Sequence, residues 1–115
     1  MIKGIGTDII EIERIRQAIS RWGDHFVDHV FNKEEIKYAR QNKDPIQHFA
    51  ARFAAKEAVY KAISNRKISW KDITILNDKN GRPYCRITDP KIKSKILISI
   101  SHTKNYAVAN AIISS

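Results

Sequence analysis

Apolar and polar positions along the chain follow two different periods. Between residues 12 and 64 they recur every three to four positions, the repeat of a helix, whereas from 70 to 113 they alternate in short runs separated by turn residues. The opening stretch Ile2 to Ile10 reads as a short strand in which Gly4 and Gly6 allow a bulge or a close backbone approach. Ile12, Ile15, Ile19 and Trp22 then define a buried stripe, with Arg14, Gln17 and Arg21 together on the opposite face and Gly23 as the stop. A short helix is expected near Asp24 to Val30, and Asn32 with Glu35 three residues on forms the capping box of a third, running to about Gln41. Asp44 before Pro45 opens the longest helix, to about Ser64. Ile46, Phe49, Phe53, Glu57, Tyr60 and Ser64 fall in one sector of it, beside a face of Ala51, Ala54, Ala55, Ala58 and Ala62 small enough to lie close against a sheet. In the second half, Trp70 to Asn77 and Tyr84 to Thr88 flank an Asn80-Gly81 turn, with Pro83 at a strand start or edge. Ile96, Ile98 and Ile100 alternate with Leu97, Ser99 and Ser101, and Tyr106 to Ile113 closes a final hairpin. The fold class predicted is α+β, with a long central helix packed on a small, mainly antiparallel sheet.

Length and composition narrow this picture. At 115 residues the chain suits one domain with one core. Ile, Leu, Val and Phe make up about a quarter of it, more than a disordered chain carries. No apolar run is long enough for a membrane span, and MIKGIGTDII lacks the basic and hydrophobic regions of a signal peptide, so the expected address is the cytoplasm, with no membrane partner. The single cysteine, Cys85, excludes an internal disulfide and a thiolate metal site of its own. A net charge of +9, spread over the whole sequence, favours an anionic partner without choosing one.

Two carboxylates stand out. Glu57 is centred among Phe49, Phe53 and Tyr60, where desolvating it is costly unless something pairs with it; Lys61, one turn on, offers an ordinary ion pair. Asp8 ends a glycine-bearing apolar strand that disfavours acids, and capping the helix that begins near Ile12 or closing a turn is its common alternative use. Two acids with no histidine or cysteine near either suit a hard cation such as Mg²⁺, which completes its shell with waters and phosphate oxygens, while the surrounding lysines and arginines suit phosphate charge. Ser101-His102-Thr103 supplies one imidazole at a strand end, and His25, His29 and His48 read as surface or packing residues. Neither a P-loop nor a dinucleotide fingerprint is present. A small basic RNA-binding module and a Mg²⁺-dependent nuclease are the competing readings, the first lacking an RNP-type aromatic motif or a GXXG loop and leaving Glu57 without a purpose.

Several segments together carry a family resemblance: Gly6-Thr7-Asp8-Ile9, Glu11-Ile12 and Arg14-Ile15; then Arg52-Phe53-Ala54-Ala55-Lys56-Glu57-Ala58 through Lys61-Ala62; then Trp70 with Asp72-Ile73, Asn80-Gly81-Arg82-Pro83, Ser99-Ile100-Ser101-His102-Thr103 and Tyr106-Ala107-Val108-Ala109. In this order they resemble the holo-[acyl-carrier-protein] synthases, the small 4'-phosphopantetheinyl transferases. The resemblance implies transfer of the phosphopantetheine arm of coenzyme A to a serine of apo acyl carrier protein, with release of adenosine 3',5'-bisphosphate and no nucleic-acid partner. It implies that Asp8 and Glu57 bind Mg²⁺ and, with Lys61, form the catalytic set. Lys61 would neutralise the pyrophosphate, Arg52 and His102 would hold the 3'-phosphate, and the turn of Asn80, Gly81, Arg82 and Pro83 would lie against the adenosine. It further implies a homotrimer with active sites at protomer interfaces. Carrier proteins are acidic, so the basic strip of Arg14 and Arg21 is the expected docking surface. One segment departs from the family pattern: its glycine-containing loop is replaced after Ala62 by the glycine-free Ile63-Ser64-Asn65-Arg66-Lys67.

Overall fold

The computed structural model describes residues 1–63, 68–90 and 92–115. Strand β1 (Ile2–Glu11) leads into four helices: α1 (Ile12–Trp22), α2 (Asp24–Val30), α3 (Lys33–Arg40) and α4 (Pro45–Ile63). A 3-10 turn at Trp70–Asp72 precedes β2 (Ile73–Asn77), and β3 (Pro83–Ile87), β4 (Lys95–His102) and β5 (Tyr106–Ser114) complete the chain. The strands form a three-stranded antiparallel sheet in the order β1-β5-β4 and a separate β2-β3 hairpin. The stretch from Trp70 is therefore not strand throughout: Ser69 and Asp72 cap the turn, the Asp72 carboxylate accepting from the Ser69 amide at 2.9 Å, so extended backbone begins only at Ile73.

Local signals account for most boundaries. The Asp44 carboxylate accepts from the Gln47 amide at 3.2 Å, and the Glu35 side chain reaches back to the Asn32 amide at 2.8 Å. Helix α1 departs from expectation at its end. Ile12 and Ile15 are buried, yet Trp22 is 54% exposed, beneath the Arg21 guanidinium at 5.0 Å. Only the first turns of this helix lie on the core, and the stripe runs out of partner surface before its last residue.

The face of α4 that packs deepest is the alanine one. Ala50, Ala54, Ala55, Ala58 and Val59 are fully buried, whereas Phe53, Glu57 and Tyr60 are only partly so. Along β1 the strand period puts Gly4, Gly6, Asp8 and Ile10 toward α4 and Lys3, Ile5, Thr7 and Ile9 outward. With no side chain at Gly4 and Gly6, the carbonyls of Ala62 and Ala58 occupy the space a Cβ would need. The helix thus sits directly on the strand, and Asp8, on the same face two residues after Gly6, is drawn against it. A second core gathers under α1, α2 and α3 around Phe31, whose ring lies 4.9 Å from that of Phe49.

Candidate functional site

Asp8 comes from the middle of β1, opposite Ala109 of β5, not from a strand end, and it caps no helix: α1 follows Glu11 with no side-chain cap. Its side chain is 16% exposed and pairs with Lys61, whose Nζ donates to Asp8 Oδ1 at 3.1 Å and to the Thr7 carbonyl at 3.0 Å. The ordinary i,i+4 explanation of Glu57 thus meets a competitor, because Lys61 reaches across to the strand. Glu57 is half-buried, and its carboxyl is pushed above the usual range by burial first and by the charge of Asp8 second, with Lys61 opposing. Asp8 and Glu57 face one cavity of about 470 Å³, lined also by Phe53, Arg14 and Tyr106. On its other flank Glu57 lines a second cavity of about 350 Å³ with Tyr60, Ile68 and Trp70, and Phe53 stacks on Trp70 at 5.0 Å. Glu57 thus stands where two recesses of mixed lining meet, with Asp8 in one of them.

The donor set fits a hard cation. Asp8 disfavours a second negative charge on Glu57, so a cation between the two is favoured, and among the described residues no group of three or more His, Cys, Asp or Glu gathers to enclose a metal. A cation held this way keeps most of its shell for water and phosphate oxygens, the habit of Mg²⁺.

One and a half turns nearer the start of α4, Arg52 is 3% exposed. Its guanidinium lies 4.1 Å from the centre of the Tyr38 ring, one Nη donates to Asn77 Oδ1, and its buried Nε has no partner. Asn77 in turn donates to the Gly81 carbonyl at 3.0 Å, so one side chain joins Arg52 to the Asn80–Pro83 turn. That turn is built by Asp78, whose carboxylate accepts from the amides of Asn80 and Arg82 at 2.8 and 2.9 Å, with Gly81 at φ 83° and Pro83 starting β3. His102, exposed at the end of β4, is close enough to oppose a proton on His48. The region collects cations and open donors at one edge of the molecule.

A family model described as the 4'-phosphopantetheinyl transferase superfamily matches residues 4–111. The chain belongs to that superfamily. Within it the holo-[acyl-carrier-protein] synthases are its relatives: that of Protochlamydia amoebophila (strain UWE25) is 50% identical over 122 residues, covering 100% of both chains. The enzyme of Thermodesulfovibrio yellowstonii is 45% identical over 98% of this chain and 99% of its own. The crystal structure of the holo-(acyl-carrier-protein) synthase from Bacillus anthracis str. Ames, in complex with CoA (3',5'-ADP), superposes with a TM-score of 0.88 at 35% identity, covering 100% of this chain and 98% of that one. The synthase of Neisseria meningitidis superposes at 0.91 with 30% identity and full coverage of both.

In this transferase the expected residues fall into two groups, Asp8 with Glu57 and Lys61, and Arg52 with the Asn80–Pro83 turn and, nearby, His102. Arg14 adjoins the first group: it lines the cavity of the two acids and lies 3.9 Å from Glu11. Arg21 is engaged with Trp22, so the strip is not purely basic but carries an exposed indole at its far end. Two contacts escaped the sequence reading. Asn77 bridges Arg52 to the turn, and nothing in its neighbourhood marks it. Lys56 and Glu35, the second read only as a capping residue, are both fully buried and paired at 2.7 Å. Lys56 adjoins Glu57 in the motif and shares a side of α4 with Arg52, Val59 and Tyr60. Of the glycine-free loop, residues 64–67 lie outside the described residues, as does Lys91. Among the described residues no helix is long and apolar enough to cross a membrane.

Proposed function

We propose that this chain is a holo-[acyl-carrier-protein] synthase, transferring 4'-phosphopantetheine from coenzyme A to a serine of apo acyl carrier protein and releasing adenosine 3',5'-bisphosphate. The observation that carries the reading is the meeting of Asp8, Glu57 and Lys61 at one cavity, in a chain matched end to end by such synthases. Nothing in the comparisons supports an RNA-binding module.

Asp8 and Glu57 would hold Mg²⁺, which when bound neutralises charge on the pyrophosphate oxygens. The protein's own part is orientation and charge. Lys61, anchored by Asp8 and the Thr7 carbonyl, brings its ammonium to the phosphates. Arg52 and His102 take the 3'-phosphate, and the Asn80, Gly81, Arg82 and Pro83 turn, fixed by Asp78 and Asn77, lies against the adenosine. Holding both ends of the nucleotide positions its middle against the serine, where much of the rate advantage of a phosphoryl transferase arises. Arg14, on the rim of the same cavity, and Arg21, seven residues further along the same helix, would steer the acidic carrier protein, chiefly by speeding encounter. Asp8→Asn and Glu57→Gln, both nearly isosteric, should each lower turnover by about 10²-fold or more, since each removes half of the cation site. Intact mass of the carrier protein after incubation with coenzyme A is the readout. Near-normal Mg²⁺-dependent transfer by either variant removes that residue from the site, and no mass gain with active wild-type protein rejects the function.

The same reading makes the enzyme a homotrimer with sites between protomers. The outward face of β1-β5-β4 carries Ile5 at 69%, Ile9 at 64% and Leu97 at 52% exposure, with Val108 and Ile112 between them. An apolar sheet face of this kind, crossed only by the row of Thr7, Asn110 and Ser99, favours another copy over water. Sedimentation at micromolar concentration should give a mass near three protomers, and Ile5→Lys with Ile9→Lys should give monomers. A fully active wild-type monomer contradicts both the interface and a shared site.

A further inference from the structure

His48 is a titratable group at the Arg52 edge of the molecule that the proposed function does not use. It stands four residues before Arg52 on α4, so the two side chains share a face. Both meet the same ring. Arg52 lies over Tyr38 at 4.1 Å, and the His48 imidazole meets it edge-on, with centroids 5.3 Å apart and planes at 84°. The ring is half-buried, and among the described residues neither of its nitrogens makes a hydrogen bond. A half-buried imidazole packed in a fixed orientation with its polar atoms unengaged is an available donor or acceptor.

The groups facing His48 are Arg52 on its own helix, Asp44 just before that helix, Tyr38 on α3 and His102 at the end of β4. Its proton affinity is lowered by burial first, then by Arg52 and His102, and raised only by Asp44. Burial first, and the Arg52 charge second, therefore favour the neutral imidazole in the free protein. A phosphate dianion arriving between Arg52 and His102 reverses the sign of that field.

We propose that His48 is a third, proton-coupled ligand of the 3'-phosphate subsite, neutral in the free enzyme and taking up a proton when the phosphate binds. The inference rests on the reading that Arg52 and His102 hold that phosphate. The sign of the pH effect follows. A group whose pKa is raised by the ligand adds affinity fully below its free-state pKa, and this gain is lost as pH rises through the bound-state pKa. With the free value below the ordinary imidazole range, the loss begins on the acid side of neutrality and is complete once pH has passed the bound-state pKa. Ionisation of the phosphate itself, with a second pKa of about 6, has the opposite sign, because a cationic site favours the dianion and binding then releases protons. Net proton uptake is thus a signature of an imidazole.

The test is calorimetric titration of the full-length protein with adenosine 3',5'-bisphosphate and, separately, adenosine 5'-monophosphate, in two buffers of different ionisation enthalpy between pH 6 and 8. Wild type should take up protons with the bisphosphate and not with the monophosphate, and its bisphosphate affinity should fall about tenfold across this range, the equivalent of one unit of pKa shift. His48→Gln should abolish the uptake and flatten the profile, whereas His102→Gln should weaken binding with uptake retained. His48→Asn is the second variant if glutamine disturbs packing on Tyr38. Unchanged uptake in both His48 variants, or equal uptake with the monophosphate, overturns the assignment while leaving the nucleotide site standing. Failure of wild type to bind the bisphosphate rejects the site itself, and the assignment with it.

Discussion

Lys56→Met is expected to destabilise the protein by about 3–5 kcal/mol, the cost of removing one partner of a buried ion pair. Lys56 and Glu35 are both fully buried, with Nζ to Oε1 at 2.7 Å. Every proton of the ammonium is used, since Nζ also donates to the carbonyls of Val30 at 2.6 Å and Trp70 at 3.0 Å. Glu35 is equally committed, accepting from the Asn32 amide at 2.8 Å and the Ile75 amide at 2.9 Å. Methionine fills much of the volume but leaves a bare carboxylate and two carbonyls in the core. The pair ties the end of α2, the start of α3, the 3-10 turn and β2 to α4, so the loss should extend to the wall of the cavity beside Glu57. Urea unfolding gives the number. The double variant Lys56→Met with Glu35→Gln should recover part of it, because the uncompensated charge is gone. A Lys56→Met protein within about 1 kcal/mol of wild type would mean that water or relaxation compensates Glu35 and that the pair is not structural.

Gly6→Ala should be the second large effect, and through geometry alone. A Cβ at Gly6 would overlap the backbone carbonyl of Ala58 outright, and a backbone atom in the middle of a helix cannot swing aside as a side chain can. Either β1 or α4 must move. The expected loss is about 3 kcal/mol, the upper part of the overpacking range. Activity should fall further than stability alone requires. Asp8 lies two residues along the same face of β1, and Lys61 three residues beyond Ala58 on α4, so the shift that relieves the clash also opens the 3.1 Å pair. A displacement of about 1 Å at such a site costs on the order of 10²-fold in turnover. Melting temperature and single-turnover transfer, measured on the folded fraction, separate the two effects. Wild-type values in both would show that helix and strand do not touch here.

Much of the molecule is local and was legible. Asp44-Pro45, Asn32 with Glu35 and the Asn80-Gly81 turn announce their boundaries because capping and turn chemistry act within four residues. The alternation of Ile96, Ile98 and Ile100 named the inner face of β4. Trp22 misled because helical spacing says which residues share a face, not how far the partner surface extends under it. The burial of Lys56 was not legible, because the carboxylate that pairs with it comes from another helix.

The identity of the site's residues was in the sequence itself. Asp8 and Glu57 were singled out as acids in apolar settings, since a misplaced charge is visible wherever the hydrophobic pattern is strong. Their partnership was expected only through the family resemblance, because 49 positions separate them and no local rule acts over that span. It was decided by the bare backbone of Gly4 and Gly6, which lets α4 settle onto β1, and by the strand parity that then turns Asp8 toward Lys61 and Glu57. The same holds at the other edge, where Arg52, Tyr38 and His48 come from two helices and Asn77 from a strand. Periodicity and capping determine which elements form and which face each one buries; only close packing decides which side chains from distant segments share a field strong enough to change their chemistry.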